Sequence, residues 1–86
     1  MVDVGQFKQW LKEETNYSDA VIGDIGSRIK RADRILEWNG EETYFFYLEK
    51  TERYQQLTVS VKSQIKKSVN LYSEYAKRLN ELKNNA

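Results

Sequence analysis

Cysteine, histidine and proline are all missing from the 86 residues, and each absence removes a class of answers. Without cysteine no disulfide can form, and without cysteine or histidine the ordinary zinc and iron sites have no ligands. The nucleophile-base pairs built on those two residues go with them, so the chain is expected to be non-catalytic and to carry no cofactor or metal. Without proline every turn falls to Asn, Gly, Ser or Thr, and no Pro/Gly/Ser linker, internal repeat or low-complexity tract divides the chain. Apolar runs are short as well. None approaches the roughly 20 residues of a membrane span, and the opening Met-Val-Asp-Val-Gly lacks the basic start and apolar stretch of a signal peptide. A cytoplasmic protein with no membrane partner is the resulting expectation. Glu13-Glu14 and Glu41-Glu42 are paired only in sequence, because adjacent helical positions point about 100° apart and cannot flank one bond.

The positive signal is helical periodicity. From Thr58 to about Leu82, apolar side chains recur at Val61, Ile65, Val69, Tyr72, Ala76, Leu79 and Leu82, in steps of three and four. A helix of that length is roughly 36 Å long, so the other segments must pack against it. Its opposite face holds Lys62, Lys66, Lys67, Asn70, Lys77 and Arg78. Ahead of it, Val4, Phe7 and Leu11 follow a capping Asp3, and Ile22, Ile25, Ile29, Ala32 and Leu36 follow a capping Ser18. Ser27, Arg28, Lys30, Arg31 and Arg34 lie around the back of that second stripe. Trp38-Asn39-Gly40 is the clearest stop. A third helix, opened by Glu41 and Glu42, has core positions at Tyr44 or Phe45 and at Leu48. These patterns predict an all-α, four-helix domain over residues 1–86, with helices at about 3–14, 18–37, 41–52 and 58–83, a cap at Thr58 or Ser60, and fraying from Asn84. Gly23 and Gly26 each cost the second helix about 1 kcal/mol relative to alanine, and close helix packing is the commoner reason for such residues. The same two glycines have the spacing of a phosphate-clamping loop, but Asp24 between them repels phosphate and the pattern around them is helical.

Net charge is +1, but it is unevenly spread: residues 1–20 sum to −2, 21–40 to +1, 41–57 to −2 and 58–86 to +4. Such a chain can present a basic face without being basic overall. Lys and Arg that merely solvate two helix surfaces would give the same tally. The aromatics Tyr17, Trp38, Tyr47 and Tyr54 invite a base-stacking reading, yet arginine does not interleave them, and a small core needs bulky side chains.

Two stretches carry a family resemblance. Phe7-Lys-Gln-Trp-Leu11, then Tyr17-Ser18, then Val21-Ile22-x-x-Ile25-x-x-x-Ile29-x-x-Ala32-x-x-x-Leu36 follow the spacing of the amino-terminal core-binding domain of tyrosine recombinases, the phage integrases. Ser60-x-x-Ser63-x-x-Lys66-x-Ser68-Val69-x-Leu71-Tyr72-x-x-Tyr75 resembles that domain's last helix. The chain departs from the pattern at Val21, Ile25 and Ala32, and the recombinase catalytic domain is not among these 86 residues, as expected of either an excised domain or a stand-alone relative. The resemblance implies a SAM-like fold and a DNA-clamping module used in recombination, with the second and last helices facing double-stranded DNA. The corresponding residues here are Ser27, Arg28, Arg31 and Arg34 with Lys62, Ser63, Lys66, Lys67 and Asn70. The alternative is a helical module that docks on a protein partner or on itself through Trp38, Tyr44, Phe46, Tyr47 and Tyr54.

Overall fold

Five helices make up the computed structural model, which describes residues 1–84 and, for Lys83 and Asn84, the backbone alone. They are α1 (Val4–Glu14), α2 (Asp19–Ile35), α3 (Tyr44–Lys50), α4 (Glu52–Gln55) and α5 (Val59–Asn84). No strand occurs among the described residues, and no helix among them is long and apolar enough to cross a membrane. Short polar side chains start the helices as the sequence indicates. Asp3 accepts the Gln6 N–H at 3.1 Å, Ser18 the Val21 N–H at 3.3 Å, and Thr58, rather than Ser60, the Val61 N–H at 3.3 Å.

The two middle boundaries differ from the periodicity, each because a side chain satisfies the backbone in another way. α2 stops at Ile35 instead of Glu37. Leu36 is extended, and the Asp33 carboxylate accepts the Trp38 N–H at 2.9 Å, which turns Trp38 back against Tyr44 and Tyr72 at ring separations of 4.9 and 5.0 Å. Asn39 then accepts the Glu41 N–H at 3.0 Å, and Gly40 takes a φ of 75° that an L side chain resists. Glu41–Thr43 therefore form a turn, and α3 begins at Tyr44. At its other end Thr51 donates to the Leu48 carbonyl at 2.8 Å and accepts the Tyr54 N–H at 3.2 Å. That one threonine closes α3 and caps α4, a fifth, single-turn helix where a loop was expected.

One core joins all five helices: Phe7 and Leu11, then Ile22, Ile25, Ile29 and Ala32, then Tyr44, Leu48 and Tyr54, then Ile65, Val69, Tyr72 and Tyr75. Tyr72 is its knot. It meets Phe7 edge-on at 4.9 Å, lies 5.5 Å from Tyr75, and its hydroxyl accepts the Asp3 N–H at 3.0 Å. α1 approaches α2 closely at Gly26, where an added Cβ would stand 3.2 Å from both Val4 Cγ1 and Lys8 Cδ. At Gly23 the same addition meets nothing within 4 Å, so close packing explains Gly26 and not Gly23.

The apolar stripe of α5 is shorter than its periodicity. Leu79 and Leu82 are 37% and 71% exposed, because the aromatic packing of α1 on α5 ends where Trp10 meets Tyr75 at 5.7 Å. The helix reaches Asn84, where fraying was expected to begin, and Asn85 and Ala86, the rest of that expected frayed end, lie outside the described residues. The radius of gyration, 13.0 Å, exceeds the roughly 12 Å of a compact chain this long, as an overhanging helix requires.

Candidate nucleic-acid interface

The nine residues singled out from the sequence fall into two groups on neighbouring helices. On α2, Ser27, Arg31 and Arg34 occupy positions i, i+4 and i+7, and all three are exposed. On α5, Ser63, Lys66, Lys67 and Asn70 occupy i, i+3, i+4 and i+7, again exposed. Each group lines a shallow concavity. The α5 one, of about 360 Å³, is completed by Leu71 and Glu74; the α2 one, of about 420 Å³, by Ile35, Arg53 and Leu57. The remaining two residues, Arg28 and Lys62, line neither concavity. Arg28 is half-buried and its Nε donates to Gln64 Oε1 at 3.1 Å, a bond that ties α2 to α5 between the two groups. Lys62 is half-buried with its Nζ 6.0 Å from the centre of the Tyr54 ring.

Lys66 and Lys67 are steadied by aromatics rather than by acids. Lys66 Nζ lies 5.8 Å from the Phe45 ring centre and Lys67 Nζ 5.2 Å from that of Tyr17. Such contacts orient an ammonium without neutralising it. The ion pairs among the described residues join Lys12 to Asp19, Lys77 to Glu42, and the terminal amine to Asp33 and Glu37, and none of them uses a residue of either group. The full charge of both groups is therefore offered to solvent or to an anion. Glu74 works against this at one end of the α5 concavity.

Two contributors escaped the sequence reading. Gln64, the partner of Arg28, carries no charge and stood out in no tally. Arg53 belongs to a stretch whose net charge is negative, and only the Thr51-capped turn of α4 brings it to α2, where its Nη1 donates to the Arg34 carbonyl at 3.4 Å.

The rival aromatic surface is much reduced. Tyr44 and Tyr54 are 1% and 5% exposed, and Trp38 is wedged between Tyr44 and Tyr72, so three of the five expected anchors belong to the core. Phe46 and Tyr47 remain, 51% and 56% exposed and edge-to-face at 5.4 Å, with Lys50 Nζ 4.5 Å above the Phe46 ring.

The perturbed titratable groups lie in the core, away from both concavities. Burial, reinforced by Asp33, pushes the Tyr44 phenol up to about 12. Burial also raises Tyr54, with help from Glu49, and Tyr75, with help from Asp3. In Tyr72 burial outweighs the lowering effect of the Asp3 N–H. No three His, Cys, Asp or Glu side chains gather into a metal-binding group among the described residues. Gly23-Asp24-Ile25-Gly26, the loop-like motif, is helical backbone within α2. No family model, no curated protein and no solved structure matches the chain.

Proposed function

We propose that this chain is a non-catalytic, cytoplasmic module that binds double-stranded DNA through the outer faces of α2 and α5, as the core-binding domain of a tyrosine recombinase does. A SAM-like relationship to that domain belongs to the same proposal. One observation carries it. Two cationic groups without acidic partners stand on adjacent helices, bridged by the Arg28–Gln64 bond, and both follow the i, i+3/i+4, i+7 spacing that lays a row of side chains along one helix face. In this reading guanidinium and ammonium groups contact phosphates, while exposed Ser63, Asn70 and Arg31 supply the contacts to base edges.

The salt dependence of binding tests this. Arg31, Arg34, Lys66 and Lys67 are the exposed cations among the nine residues. Four phosphate contacts at about 0.9 each give a slope of log K against log salt near −4. Half-buried Arg28 and Lys62 would steepen it to about −5. Affinity for a random duplex should lie in the 10⁻⁴ to 10⁻⁶ M range, about that of non-specific binding. Absence of binding at low salt rejects the proposal. The second reading, a protein contact, rests on exposed Phe46 and Tyr47. It requires binding that barely responds to salt and is lost in the Phe46→Ser, Tyr47→Ser double variant.

A further inference from the structure

The concavity between α2 and α4 differs in kind from the one on α5. Its six lining residues include three arginines, Arg31, Arg34 and Arg53, and no acid. Ser27 adds a hydroxyl at one side, and Ile35 and Leu57 supply apolar wall. Nothing among the described ion pairs neutralises any of the three guanidiniums. Like charges gathered on two separate helices repel one another, so their juxtaposition is unfavourable until an anion joins them. Arg53 is also held in place. One of its five N–H donors is spent on the Arg34 carbonyl, at the end of α2 where backbone acceptors have no helical partner, and the rest of its fork is free.

A purely structural reading exists: cations near a helix carboxyl terminus complement its dipole, and Arg53 caps α2. That accounts for one hydrogen bond. It does not account for Arg31, a full turn back from the terminus, facing the same concavity, or for the choice of arginine at all three positions. Arginine's planar fork matches phosphoryl oxygens in pairs, which lysine's ammonium does not.

We propose that this concavity is a phosphate-binding site, in which Arg31, Arg34 and Arg53 grip the phosphoryl oxygens and the Ser27 hydroxyl donates one further hydrogen bond. That the phosphate is one of the DNA backbone rests on the duplex-binding reading above; the phosphate chemistry itself does not. α4 thereby becomes a third element of the interface, fixing the register of α2 on the strand, with Arg53 as its contact.

The test follows the arginine Nε–Hε resonances of the intact chain by ¹⁵N-resolved NMR, first with inorganic phosphate, then with a short duplex, with sodium chloride matching ionic strength throughout. The signals of Arg31, Arg34 and Arg53 should shift together and saturate with one midpoint. In the inorganic-phosphate titration Arg28, whose Nε is bonded to Gln64, and Arg78, distant in sequence on α5, serve as internal controls and should stay in place; with the duplex the control is Arg78 alone. The Arg53→Gln variant should lose the phosphate response of Arg31 and Arg34 and flatten the duplex salt slope by about 1. The Arg53→Lys variant, which keeps charge and a donor for the Arg34 carbonyl, should recover the fold's stability but not the full response. A response to the duplex alone identifies the ligand as a backbone phosphate, and a response to inorganic phosphate as well shows that a free phosphate suffices. Equal, unsaturated drift of all the arginine signals, as chloride alone produces, overturns the proposal. Duplex-induced shifts along residues 63–70 with Arg31, Arg34 and Arg53 unmoved also overturn it, and confine the duplex reading to α5. A saturable phosphate response with no duplex binding upholds the phosphate site and overturns the duplex reading.

Discussion

Replacing Tyr44 with phenylalanine should give a protein that is less stable than the parent at neutral pH and more stable at strongly alkaline pH. The ring is 1% exposed, and its hydroxyl donates at 2.6 Å to the carbonyl of Leu36, the residue that ends α2. Removing the hydroxyl strands that carbonyl and costs about 1–2 kcal/mol. For a chain this short that is a fall of roughly 4–16 °C in Tm. The alkaline limb has the opposite sign. Burial and Asp33 raise the phenol from 10.0 in the unfolded chain to about 12 in the fold, so the folded state resists the phenolate. That contribution is intact below pH 10.0, is lost as pH rises through the window up to about 12, and then levels off. Two pH units amount to about 3 kcal/mol, more than the hydroxyl contributes at neutral pH. The variant has no phenol at this position to lose. Tyr54, Tyr72 and Tyr75, also raised by burial, are common to both proteins and cancel in the difference. Urea unfolding followed by helical circular dichroism, repeated at intervals from neutral to strongly alkaline pH, should give two stability curves that cross above pH 10. Curves that stay parallel throughout would refute the assignment of Tyr44 as a buried, hydrogen-bonded phenol.

Three further outcomes follow. The Lys66→Glu, Lys67→Glu double variant should keep its helical circular dichroism, lose about 1–2 kcal/mol with the contacts to Phe45 and Tyr17, and show no measurable duplex binding; collapse of the fold would show that these side chains support the core. Gly23→Ala should stabilise α2 by up to about 1 kcal/mol, whereas Gly26→Ala should fall at least about 1 kcal/mol short of it, since its methyl meets Val4 and Lys8 at 3.2 Å; equal effects in thermal unfolding would contradict the close approach of α1. Ser68 is 1% exposed and its hydroxyl has no hydrogen-bond partner among the described residues, so Ser68→Ala should raise stability by about 1 kcal/mol in denaturant titration, and a loss of that size would mean the hydroxyl is satisfied.

How far the sequence could be read depended on whether a feature was local. Periodicity and caps gave the all-α class, the long last helix, the start residues Asp3 and Ser18, and a choice between Thr58 and Ser60 that the Thr58 cap decides, because each signal lies within one turn of the element it defines. The failures are tertiary. Trp38 reads as a helix terminus, but its pull toward Tyr44 and Tyr72 shortens α2. Thr51 is one polar residue among several, flanked by Glu49, Lys50, Glu52 and Arg53, and nothing in the spacing marks it as the one whose two hydrogen bonds separate α3 from α4. Leu79 and Leu82 continue the stripe of α5 yet are exposed, and no spacing rule reveals where a partner stops. The candidate interface divides in the same way. Numbering alone put Ser27, Arg28, Arg31 and Arg34 together on α2 and Lys62, Ser63, Lys66, Lys67 and Asn70 together on α5, but it could not separate Arg28 and Lys62, which line neither concavity. Arg53 and Gln64 join them only through contacts between helices, and Tyr44 and Tyr54 leave the aromatic surface for the same reason.

The proposed duplex-binding role is tested most directly by an amide ¹⁵N chemical-shift titration of the intact chain with a short random-sequence DNA duplex, at low salt and again at high salt. Duplex binding through α2 and α5 predicts shifts centred on residues 27–34 and 62–70, joined by Arg53 where α4 takes part, that disappear as salt rises. No shifts at low salt, or salt-resistant shifts centred on Phe46 and Tyr47, would contradict it.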